Sequence, residues 1–127
     1  MKNLSKIFLA LLLGATLLNA AAFSKDAKYR TTKVHITADQ PITAGSNTLK
    51  FSITKNGKLI DGNVNLKAFM PAMPGMPAMV SKVTAKNLGN GVYEAKLNLA
   101  MSGTWQLHIF ITLKTGKKSR VKTTLNF

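Results

Sequence analysis

Trp105, Leu107, Ile109, Ile111 and Leu113 alternate with Gln106, His108, Phe110 and Thr112. A period of two places the first set on one face of an extended strand and the second on the other. A helix would scatter the same residues around its axis, so this stretch predicts a strand with one buried face. The pattern recurs along the chain. Val34 and Ile36 alternate with Lys33, His35 and Thr37, and Leu49, Phe51 and Ile53 with Lys50, Ser52 and Thr54. Val64, Leu66, Ala68 and Met70 form a further stripe, as do Tyr93, Ala95, Leu97, Leu99 and Met101. Val80, Val83 and Ala85 make a weaker strand, and Val121, Thr123, Leu125 and Phe127 a final one.

Turn chemistry separates these runs. Asn56-Gly57 is a strong short-range hairpin signal, because both residues tolerate positive φ. Asp61-Gly62, Ser102-Gly103 and Thr115-Gly116 mark further reversals. About seven strands with no helical period predict an all-β chain, an immunoglobulin-like antiparallel β-sandwich over residues 33–127. Residues 23–32 are polar, basic and without a pattern, and are expected to form a flexible tether.

The N-terminus has a separate purpose. Lys2 and Lys6 flank an apolar run over residues 7–18, and Ala20-Ala21-Ala22 supplies small residues for cleavage. This order predicts a signal peptide over residues 1–22 and export to the periplasm, an uncleaved N-terminal anchor being the alternative. The chain has no cysteine, which removes disulfides, thiolate metal sites and any Cys nucleophile.

Charge narrows the partners. The net charge is +14, with only four acidic residues in the whole sequence. An anionic membrane surface or an acidic protein suits that balance. Nucleic acid does not, since the chain is exported and carries no recognition motif or stacking ladder. Asp26, Asp39, Asp61 and Glu94 are scattered without the spacing of a carboxylate pair, and there is no nucleophile or phosphate-binding motif. No enzymatic activity is expected.

One segment stands outside the strand pattern. In Met70-Pro71-Ala72-Met73-Pro74-Gly75-Met76-Pro77-Ala78-Met79, methionine recurs every third residue. Proline lacks an N–H, so the run suits neither a central strand nor a helix interior. Pro74-Gly75 has the residues of a type II turn, which would bring Met73 and Met76 together at its ends. Thioether sulfur is a soft, neutral ligand suited to Cu(I). Met73 and Met76 are therefore the leading candidate ligands, with Met70 and Met79 behind them on the two arms. Met70 also continues the inward stripe of its strand, so core packing competes for it. His108 is the candidate imidazole, and Trp105, which precedes it, is either a core residue or a ring facing the ion. The bland alternative is a proline-rich loop whose methionines cap the core.

The Met-Pro run, then Gly91-Val92-Tyr93-Glu94-Ala95, then Met101-Ser102-Gly103-Thr104-Trp105-Gln106-Leu107 resemble the YtkA-like/FixH-like domain of exported bacterial proteins over residues 34–127. The resemblance implies a small immunoglobulin-like sandwich. It also implies copper or heavy-metal handling, with an envelope partner from an efflux system or from haem–copper oxidase assembly. Three functions remain open at this point. One is a periplasmic Cu(I) chaperone or buffer; another is a metal-free sandwich that binds a protein partner through the Met-Pro loop; the third is a basic module that sits on an anionic envelope surface. The leader makes its own prediction: the mature chain should begin at Ala21 or Phe23 and fractionate with the soluble periplasm. N-terminal sequencing checks this, and recovery of Met1 on a membrane-bound product is the contrary outcome.

Overall fold

The computed structural model describes residues 22–127. All of the expected leader except Ala22 lies outside the described residues. Ten strands follow in order: β1 (Phe23–Tyr29), β2 (Thr32–Ala38), β3 (Gly45–Lys55), β4 (Lys58–Leu59), β5 (Gly62–Met70), β6 (Met79–Thr84), β7 (Lys86–Gly89), β8 (Val92–Leu99), β9 (Thr104–Leu113) and β10 (Lys118–Asn126). They form two antiparallel sheets. One has the order β1-β2-β3-β8-β7, with β4 paired to β3; the other runs β10-β9-β5-β6. The expected all-β, immunoglobulin-like sandwich is present, with β1, β4 and β7 beyond the strands the alternation marks.

The tether expected over residues 23–32 is corrected by β1. Phe23 to Tyr29 pairs with β2 along its full length, from Phe23 opposite Ala38 to Tyr29 opposite Thr32. Backbone donors and acceptors on the β2 edge need partners whatever side chains bring them, so a polar segment can still form a strand there. Phe23 and Ala27 pack against the core, and Lys25 Nζ donates to the Thr124 carbonyl of β10. That bond ties the first strand to the opposite sheet.

The inward faces follow the alternation. Val34, Ile36, Leu49, Phe51, Ile53, Leu97 and Leu99 of one sheet meet Leu66, Leu107, Ile109, Val121 and Leu125 of the other, all nearly inaccessible to water. Trp105 and Tyr93 are the two largest fully buried side chains, and each finds a partner for its polar atom. Trp105 Nε1 donates to the Met101 carbonyl at 2.9 Å. The Tyr93 hydroxyl accepts from the Gly62 N–H at 3.1 Å and donates to the Ile60 carbonyl at 3.4 Å. Burial pushes the Tyr93 phenol above its ordinary pKa, which keeps the proton in place for that second bond.

These two aromatic residues mark places where the chain changes sheet. Tyr93 clasps the passage from β4 to β5, and Trp105 the passage from β8 to β9. The Asn56-Gly57 turn has φ of 54° and 77°, matching the positive values a two-residue hairpin of type I′ demands. Removing the phenolic oxygen leaves the Gly62 N–H and the Ile60 carbonyl without their side-chain partner. Tyr93→Phe is therefore expected to lower unfolding free energy by about 1–3 kcal/mol in urea denaturation, with unchanged far-UV dichroism.

Candidate metal centre at the methionine hairpin

β5 and β6 remain in register up to Met70 opposite Met79. Beyond that pair the ladder stops, because Pro71 and Pro77 have no N–H to contribute. It resumes for one pair at the tip. Met73 N–H donates to the Met76 carbonyl at 2.9 Å, and Met76 N–H to the Met73 carbonyl at 2.8 Å. Pro74-Gly75 closes this pair, with Gly75 at φ 79°, the value a type II turn requires at its third position. The turn expected from the sequence is present. The four methionines form two nested cross-strand pairs, Met70 with Met79 at the base and Met73 with Met76 at the tip.

In a hydrogen-bonded antiparallel pair the two side chains leave the backbone on the same face, with Cβ atoms about 5 Å apart. Met73 and Met76 thus start from adjacent points on one side of the hairpin, and three flexible torsions each let their sulfurs converge. Met73 is 47% exposed and Met76 is half-buried, so the tip pair is open to solvent. The base pair is engaged in packing. Met70 is 4% exposed and belongs to the core, and Met79 is packed against it. The Met70 methyl fills space that glycine leaves vacant, since a Cβ built on Gly103 would lie 2.8 Å from its Cε.

Gly103 brings a fifth methionine to this end of the sandwich. Met101, two residues earlier, is half-buried, packs on the core and offers its carbonyl to Trp105. Its spacing in the sequence relates it to Trp105 and His108 rather than to the Met-Pro run.

His108 is not brought to the methionines. It pairs with Lys67 of β5 and Lys122 of β10, on the outer face of the four-stranded sheet. Met70 lies three residues beyond Lys67 and points inward, so the sheet itself separates thioether from imidazole. Partial burial, followed by the charges of Arg120, Lys122 and Lys67, lowers the His108 pKa below its ordinary value. Its ring meets Phe69 edge-on, with centroids 5.0 Å apart, and Phe110 at 6.1 Å. Trp105 is 1% exposed and is a core residue. His35 lies on the outer face of the six-stranded sheet, where its Nδ1 meets the Asp26 carboxylate at 2.5 Å. Among the described residues no group of three or more His, Asp or Glu side chains comes together to hold a metal ion. The thioether set at the hairpin is the chemistry this end of the fold offers.

Comparison with known proteins addresses fold and family. The PmoD soluble domain of Methylocystis sp. ATCC 49242 (Rockwell) superposes on this chain with a TM-score of 0.54 and 16% identity, over 79% of this chain and 94% of that one. At that identity the likeness concerns the fold. No curated protein shows significant sequence similarity. The YtkA-like pattern matches residues 26–110, which run from the first strand through the methionine hairpin into β9. The chain belongs to the YtkA-like family.

Proposed function

We propose that this protein is a periplasmic Cu(I)-binding protein, a chaperone or buffer that holds the ion on the Met73/Met76 pair. The observation that carries this reading is the doubly hydrogen-bonded Met73–Met76 pair, which presents two solvent-accessible thioethers from one face of a closed hairpin. Thioethers favour a soft monovalent cation over hard divalent ions and need lose no proton to bind it. Two or three such ligands hold the ion without enclosing it, which suits a protein that must pass its cargo on. The base pair has a different part. Met70 anchors the hairpin in the core, and Met79, packed on the core but partly exposed, is the more available of the two.

The export signal supports a location where copper is handled outside the cytosol, and the absence of cysteine leaves nothing at the site to be lost as a disulfide. The rival reading is a metal-free hairpin that docks a protein partner. Exposed Met73 at the tip and exposed Val80 at the start of β6 give that reading its apolar side chains.

A Cu(I) titration against a competing chelator separates the two. Met73→Leu and Met76→Leu are each expected to weaken Cu(I) binding at least tenfold, about 1.4 kcal/mol. Met70→Leu and Met79→Leu should cost less, and Gly75→Val should weaken binding by opposing the turn while leaving every sulfur in place. Equal losses at all four methionines with Gly75→Val silent would exclude the tip pair as the site. No Cu(I) binding by the unsubstituted protein would turn the assignment to the docking role.

Protonation supplies an independent check. With thioether ligands alone, affinity is expected to stay nearly flat from about pH 8 to about pH 5, and His108→Gln to leave it unchanged. A fall in affinity that sets in at a pH under the ordinary imidazole value of about 6.5, as the lowered pKa of His108 requires, and that disappears in His108→Gln would instead place the imidazole on the ion.

A further inference from the structure

The outer face of the four-stranded sheet carries an arrangement that the methionine hairpin does not use. Lys82 of β6, Lys67 of β5, His108 of β9 and Lys122 of β10 stand opposite one another in a single row across all four strands. The next row on the same face holds Thr84, Asn65, Phe110 and Arg120, and the one on the other side Val80, Phe69, Gln106 and Thr124. Among the described residues, no carboxylate stands on this face. Asp26 and Glu94 lie on the outer face of the other sheet, and Asp39 and Asp61 lie in connections. Like charges set directly opposite across strands are unfavourable. A row of this kind therefore costs the folded protein something that an anion placed over it would remove.

Aromatic and apolar side chains stand among the cations. Phe69 and Phe110 flank His108, the Lys67 ammonium lies 5.3 Å from the Phe69 ring centroid, and Val80 is 55% exposed. Where β10 meets β1, the face turns into a cleft of about 600 Å³ lined by Lys28, Lys118, Arg120, Lys122, Tyr29 and Phe110. Four cations around an open cleft suit a phosphate group together with the larger headgroup that carries it, while the broad sheet beside it matches a surface rather than a single molecule. Cations that meet phosphates, with aromatic rings at the depth of the headgroups, are the chemistry of a membrane interface.

We infer that the outer face of the β10-β9-β5-β6 sheet docks on an anionic phospholipid bilayer, with a headgroup phosphate seated in the β1–β10 cleft. Docking uses the strands below the methionine tip and needs no metal. An acidic protein segment is the competing occupant. It would need a groove along which to lie, whereas this face spreads its charge over four strands.

Flotation of the purified protein with vesicles tests the inference. Vesicles of phosphatidylcholine with about one third phosphatidylglycerol should bind the protein at about 0.1 M salt, pure phosphatidylcholine should not, and about 0.5 M salt should release it. The triple variant Lys67→Gln/Arg120→Gln/Lys122→Gln should lose about a hundredfold in vesicle affinity, roughly fivefold per charge. The edge-strand double Arg120→Gln/Lys122→Gln should lose about twentyfold, and serves if the triple proves unstable in a thermal melt. The control triple Lys33→Gln/Lys50→Gln/Lys96→Gln removes the same charge from the opposite sheet and should leave binding within about threefold. Equal losses in the two triples would overturn the inference in favour of net charge alone. Absence of vesicle binding would also overturn it; soluble polyglutamate captured by the unsubstituted protein and not by the face triple would then assign the face to an acidic protein.

Discussion

The register of β5 is the constraint on which the rest of the structure depends. β5 is paired on both sides, to β6 and to β9, and its inward residues Val64, Leu66, Ala68 and Met70 are all buried. Because side chains alternate, a slip of one residue would drive Lys67 and Phe69 into the core and turn the whole apolar stripe to water. The same phase that buries Val64 therefore sends Met70 into the sandwich, holds Lys67 in the outer cationic row and starts the methionine hairpin at a defined point. The two surfaces to which we assign a binding role are both set by this one strand.

Most of the architecture was legible because burial is periodic. The stripes of β2, β3, β5, β8 and β9 are buried where alternation puts them, and Asn56, Gly57 and Gly75 adopt the positive φ their turns demand. What escaped had no periodic signal to offer. β1 is joined to β2 by backbone pairing, with only Phe23 and Ala27 packing inward. β7 is a four-residue edge strand with no buried residue and a register shift between Asn87 and Gly89. Val80, Val83 and Ala85 do not share one alternation, and β6 shows why its signal is weak: Met79, Ser81 and Val83 face inward while Val80 faces solvent.

The candidate site divides along the same line. The pairing of Met73 with Met76 was recoverable because turn geometry is local, written in four consecutive residues. The position of His108 was not, since it depends on how β5, β9 and β10 align. Alternation shows that His108 faces outward, but only the ladder shows that the face carries Lys67 and Lys122 beside it and that Met70 lies behind the sheet. Spacing along the chain brought His108 close to Met101 and Trp105. Three-dimensional register gave it cationic neighbours instead, which leave it a poor place for a metal cation.

Pro71 and Pro77 give the hairpin a property that neither the sandwich nor the turn has alone. They interrupt the ladder between the base pair and the tip pair, so the tip is closed by two backbone hydrogen bonds of its own and is not stitched continuously to β5 and β6. Opening the tip would break those two bonds and disturb no core contact, because Met70 and Met79 hold the arms below the break. The tip is thus a finger set apart from the ladder beneath it: its two bonds can open and re-form while Met70 and Met79 keep the arms packed on the sandwich.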